Sequence, residues 1–193
     1  MLNKQLMCAV VGLIISGATF ADDVLVFKGT KMGSSEKELK VHFPNAKCRT
    51  GGRSSERFCN VSKGSIASVH IETAYVYFQD KLGEINADFD QAYYDAETNF
   101  ELMVKVFQEK YGLPKRTQGK MVDYRGKASP NIIATWKFPY GTIQVKKFYG
   151  DYDVLRGKII FRGPEYEAAM LRNHERDAKT TAEKAKKAAA KDL

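Results

Sequence analysis

Residues 66–89 read IASVHIETAYVYFQDKLGEINADF, and how this stretch divides decides the fold. β-branched and aromatic residues dominate it, and three strand-like runs stand out at 66–71, 75–78 and 82–89. The Asp80-Lys81 step marks a tight hairpin between the last two, while Gly83 blurs its register. Connections this short join antiparallel neighbours, because a parallel crossover needs about a dozen residues or more. Tyr75 and Tyr77 share one strand face and Val76 and Phe78 share the other. Assigning Val76 and Phe78 to the core leaves Tyr75 and Tyr77 on a surface available for binding, where the apolar body and polar tip of tyrosine suit an interface.

Upstream, residues 24–27 read as a short strand, and Gly33-Ser34-Ser35-Glu36 introduces a short helix reaching about Phe43. Ser34 or Ser35 can cap it, and Pro44 requires it to stop. A glycine-rich loop follows. Downstream, Phe100, Met103, Val104, Phe107 and Tyr111 recur at spacings of three and four, predicting a helix over 92–111 that Gly112 and Pro114 end. The polar residues 115–130 read as a long loop or a loosely paired strand. Runs at 132–138, 142–148 and 154–161 then form a second meander, with Ile143 and Val145 facing inward. The order is a short helix with three strands, then a long helix with three strands. It predicts an α+β fold in which an antiparallel sheet of two helix-plus-meander units is covered by helices on one face. No residue-level repeat relates the units.

The ends of the chain have a different character. Lys4, the apolar run 6–15 and the Thr19-Phe20-Ala21 triplet have the form of a cleaved export signal over residues 1–21. Cys8 lacks the small preceding residues of a lipid-attachment site. The expected mature chain starts at Asp22 in the periplasm, with a globular domain over 22–163. At the other end Gly163-Pro164 opens an Ala-, Lys-, Glu- and Arg-rich helical tail over 164–193. Its apolar stripe of Tyr166, Ala169 and Met170 fades after Leu171, so only the first turns can dock. No membrane-spanning segment is expected once the signal is removed.

Loss of the signal leaves Cys48 and Cys59, which in an exported chain predicts a disulfide. Closing that loop stabilises the fold by roughly 3 kcal/mol on the chain-entropy model. The chain carries 31 Lys and Arg against 23 Asp and Glu; without Lys4 the balance is 30 minus 23, or +7. Lys47, Arg49, Arg53, Arg57 and Lys63 crowd around the disulfide loop and face only Glu56, so this loop is a candidate binding site for an anionic envelope component or an acidic protein. Nucleic acid is not an expected partner in that compartment. A solvated loop without a ligand is the plain alternative.

Residues suited to chemistry are sparse. No serine-nucleophile elbow, paired-histidine zinc motif, phosphate-binding glycine loop or haem-attachment motif occurs, and no cofactor or metal is expected. His42 sits at a helix end, His70 is on a strand between inward Val69 and Ile71, and His174 is in the tail, so none is a favoured catalytic base. Asp88 with Asp90, and Asp151 with Asp153, fit capping and turns better than calcium or glycosidase sites.

The segment Phe27, Gly29, Gly33, Ser34 and Glu36, running into an amphipathic helix, resembles the opening of small outer-membrane assembly lipoproteins of the BamE or OmlA type. The helix-plus-meander plan resembles beta-lactamase inhibitor proteins, which use two such units to bind other proteins. The likeness covers about 15 residues plus an order of elements, and no functional residue carries over. It implies a fold used for binding. The resulting expectation is a non-catalytic periplasmic protein that docks on another protein or an envelope component, in the manner of an inhibitor or immunity module. A tethering factor using its basic loop and tail, or an enzyme without a recognised motif, are the alternatives. Partner identity and oligomeric state are not readable from the residues.

Overall fold

In the computed structural model, residues 24–51, 56–89, 96–122, 128–149 and 155–189 are described. A hairpin of β1 (Val26–Phe27) and β2 (Thr30–Lys31) leads into helix α1 (Glu36–His42). Strands β3 (Lys47–Thr50), β4 (Glu56–Ile66), β5 (Val69–Phe78) and β6 (Lys81–Phe89) follow. Helix α2 (Ala96–Tyr111) opens the second unit, continued by β7 (Lys115–Val122), β8 (Ala128–Phe138), β9 (Gly141–Tyr149) and β10 (Leu155–Arg162). Helix α3 (Pro164–Ala189) closes the described chain. Ser35 caps α1, with Glu38 returning to the Ser35 backbone in a full capping box. Trp136 closes the other end of α2 by donating its indole N–H to the Gly112 carbonyl at 2.8 Å.

The eight long strands form one antiparallel sheet in the order β3-β4-β5-β6-β10-β9-β8-β7. The α+β class and the two-unit plan are therefore as expected, but each unit has four strands where the sequence suggests three. Runs 66–71 and 75–78 belong chiefly to one strand, β5, whose partner β4 occupies much of the expected loop. The cause is a turn hidden inside the first run. Ala67 and Ser68 both take positive φ, at 47° and 69°, and form a two-residue hairpin without glycine or asparagine to signal it. Gln79 and Asp80 form the next turn in the same way, at 51° and 63°. Strand β7 emerges from the polar stretch because an edge strand exposes both faces and needs no apolar alternation.

Both faces of the sheet carry cover. On the inner face α1, α2 and the β1-β2 hairpin bury Leu25, Phe27, Leu39, Phe100, Met103 and Phe107 against Ile85, Ile143, Val145, Ile159 and Phe161. Each such side chain contributes roughly 2 kcal/mol by leaving water. On the outer face α3 packs through Ala169, with Tyr166 and Met170, onto Val76, Phe78 and Phe58. The tail thus docks by its first turns, as its stripe predicts, and on the face opposite the other two helices. Leu171 is exposed, while Asn173, one turn beyond Ala169, is still buried.

Gly83 is where these parts meet. Val76 pairs with Glu84 and Tyr77 with Leu82, so Gly83 is the extra residue of a β-bulge. The Leu82 carbonyl accepts from Gly33 N–H at 2.8 Å, and the Gly83 carbonyl accepts from Gly163 N–H at 3.0 Å. A Cβ at Gly83 would lie 2.5 Å from the Phe78 ring and 3.0 Å from the Tyr166 backbone nitrogen. Gly83→Ala should therefore lower the unfolding free energy by about 1–3 kcal/mol in urea denaturation. Gly119→Ala, where no atom lies within 4 Å of the added carbon, should change it by less than about 0.5 kcal/mol.

Candidate functional site

The tyrosine surface expected on β5 does not exist. Tyr75 and Tyr77 are 0% and 1% exposed and belong to the main core, with Tyr75 against Phe43 at 5.8 Å between ring centroids. Val76 and Phe78 lie on the opposite face, buried by α3. The rule that one face is core and the other surface fails here because α3 returns to cover the second face of β5. Burial pushes the Tyr75 hydroxyl up to about 12. Thr30 lies close enough to oppose that shift, although neither hydroxyl meets full hydrogen-bond geometry. Tyr77 is raised by burial first, then by the Glu36 carboxylate.

The basic cluster is divided by the sheet. Cys48 and Cys59 are directly opposed across β3 and β4 and form the expected disulfide, on the inner face in register with Tyr75. Lys47 and Arg49 are opposite Asn60 and Phe58, so they project from the outer face of an edge strand. Arg57 is opposite Tyr77 and turns inward, where its Nε donates to Glu36 at 2.7 Å. Hydrogen bonds from Arg57 and then Lys40 hold the Glu36 carboxyl below the usual range. Lys63 falls within a register shift of β4, between Val61 and Gly64. Arg53 lies outside the described residues, as do the signal segment, Asp90, Asp151 and Asp153. The Glu36 carboxylate and the two sulfurs lie within 4.8 Å of one another, but sulfurs bonded together offer no thiolate to a metal.

A cleft of about 270 Å³ opens between the β1-β2 hairpin and α1, lined by Thr30, Ser34, Glu38 and His42 among others. Its carboxylate is already engaged: Glu38 accepts from the Ser35 N–H at 2.7 Å and from its hydroxyl at 2.8 Å, which holds its pKa down. Glu38 therefore serves the helix terminus and does not orient His42. His70 is exposed beside buried Val69 and Ile71, and His174 is exposed on α3. A second cleft of about 260 Å³ lies where α3 leaves the sheet, between Phe78 and Gln79 and the residues Arg172, Asn173 and Arg176.

The outer face of β7 to β9 has no extensive contact with α3; its side chains are partly exposed, while Ile160 on the neighbouring β10 is buried. Cross-strand registers align its side chains in rows. One runs Lys115, Thr135, Gln144, Ile160; the next Lys137, Thr142, Arg162; a third Ile133, Lys146, Lys158. Strand β6 borders these rows with Glu84 and Asp88, which pair with Arg162 at 2.7 Å and Lys158 at 3.1 Å. Lys146 has no ion pair among the described residues. The signal for this surface lies in Arg156, Lys158 and Arg162, which alternate with inward Gly157, Ile159 and Phe161, and in Lys146 following inward Val145. Local charge density in the sequence is highest around the disulfide loop instead.

No family model matches the chain, and neither a curated protein nor a solved structure is significantly similar to it.

The buried phenols set an alkaline limit to stability. Tyr75 and Tyr77 keep their protons when folded at a pH where an unfolded tyrosine, near pKa 10, has begun to lose its own. The unfolded chain then binds fewer protons, so stability must fall as pH rises from about 10 through about 12. Urea midpoints measured across this range should decline less steeply for Tyr75→Phe than for the parent. Tyrosinate absorbance should report phenols that ionise only on unfolding.

Proposed function

We propose that this chain is a non-catalytic periplasmic binding protein that docks on another protein through the outer face of β7 to β10. The observation that carries this reading is the unequal cover of the sheet. The outer face of the first unit is apolar at Val76, Phe78 and Phe58 and lies under α3, whereas on the second unit α3 reaches only the edge at β10, where Tyr166 lies against Arg162, and the Thr, Gln and Lys side chains of β8 and β9 are partly exposed. A twisted antiparallel sheet holds such side chains at fixed spacing. A partner docking there therefore orders little backbone and avoids much of the entropy cost of association. The use of Glu38 in a capping box supports the non-catalytic part. An inhibitor- or immunity-like role suits a rigid face of this kind. Among the described residues no helix is long and apolar enough to cross a membrane.

An envelope tether is the second reading, favoured by one feature. Beyond Arg176 helix α3 carries no buried described residue and continues to Ala189. The two readings separate by position and by salt. A photo-cross-linking residue at Thr135, in the open face, should capture one predominant protein from envelope extract. The same group at Lys105, exposed on α2, should not. For a docked partner the adduct persists at about 0.5 M salt and after removal of residues 177–193. A tether predicts loss under both treatments, and no adduct at Thr135 under any condition would overturn docking on this face.

A further inference from the structure

The open face contains a charge that the protein itself does not balance. Lys146 on β9 is directly opposite Lys158 on β10, and like charges in directly opposed positions destabilise a sheet. Lys158 is relieved by Asp88 on its other side, and Arg162 by Glu84. Lys146 has Ile133 as its partner on β8 and no ion pair among the described residues. Its side chain is partly buried on the sheet, which costs the charged form some of its hydration. Burial, then Arg162, lower its pKa; Lys158 adds to that effect, and Glu84 opposes it only in part.

We infer that Lys146 is the anchor of an anion subsite on the β8-β10 face, filled by a carboxylate side chain of an acidic protein segment. This inference rests on the docking reading above. The favoured ligand is a carboxylate because the neighbouring cations already hold single carboxylates, Asp88 on Lys158 and Glu84 on Arg162, with donors spaced along a strand row. An acidic segment laid across the rows continues the pattern set by β6. An incoming carboxylate also replaces the repulsion at Lys146 by attraction, so the position costs stability in the free protein and contributes affinity in the complex.

The test uses the oxidised mature chain and a deca-glutamate peptide as probe. Titration followed by NMR should shift the Lys146 and Lys158 side-chain signals. Lys146→Gln should weaken the peptide about 10-fold and Lys146→Arg should restore most of the affinity, whereas Lys105→Gln should change it less than about 2-fold. Lys146→Gln should also keep or raise the urea midpoint, an outcome opposite to that of a lysine with a purely structural role. Equal losses at Lys146 and Lys105, absence of peptide binding, or preferential binding to phosphatidylglycerol vesicles would each overturn the carboxylate subsite. Cross-linking through Thr135 distinguishes the two levels. A partner still captured by Lys146→Gln with undiminished yield sinks the subsite and leaves docking intact, while a parent protein that captures nothing sinks docking itself.

Discussion

The pairing of β6 with β10 is the contact on which the rest of the molecule depends. It is the seam between two helix-plus-four-strand units, and it turns two small sheets into one of eight strands. Each face of the seam is fastened differently. Inside, Ile85 and Ala87 are opposed by Phe161 and Ile159, and Gly157 admits the Phe89 ring, from which an added Cβ would be 2.0 Å away. Outside, Glu84 with Arg162 and Asp88 with Lys158 are opposed ion pairs. The apolar inner contacts supply most of the free energy. The partly exposed pairs contribute little stability and chiefly disfavour a shift in register, which would set each charge against the wrong neighbour.

The seam also distributes cover over the outer face. Helix α3 begins immediately after β10 and is aimed by the Gly163 hydrogen bond to the Gly83 bulge, so it runs mainly over the first unit and touches the second only along β10. The apolar side chains Phe58, Val76 and Phe78 are thereby covered. The second unit keeps an open face whose composition can remain polar because no helix requires otherwise. Which unit is covered thus depends on where one glycine lets the chain approach.

Much of this architecture was legible. The Ser35 cap, the α2 periodicity, the disulfide and the start of α3 at Pro164 each depend on local rules, and each is present. The exceptions are one local turn without its usual residues and several features set by distant parts of the chain. The turn at Ala67 and Ser68 uses residues that do not advertise positive φ, and β7 is an edge strand with no buried face to impose a pattern. The premise that a strand has one covered side places Tyr75 and Tyr77 at the surface, and β5, covered on both faces, contradicts it. The basic loop was legible as composition and misleading as geometry, since Arg49 and Arg57 emerge on opposite sides of the sheet. Lys146 illustrates the reverse case: its outward direction follows from Val145, but its lack of a partner is known only once β8 and β10 flank it.

Each unit is laid down from its outermost strand toward the seam, β3 to β6 and then β7 to β10, so the strand that completes the sheet is made almost last. Once β6 has formed, its free edge must wait for residues 90–154 before β10 can exist. Hairpins form in about 1–10 μs, so β3 to β6 can pair well before the rest of a chain that emerges from its N-terminal end supplies β10. An edge left open in this way can also accept β10 from another chain, and two chains that trade second units would close both seams with every native pairing intact. Monomer and exchanged dimer would then be sorted by how crowded the chains are while they fold, and not by any difference in the contacts that hold them.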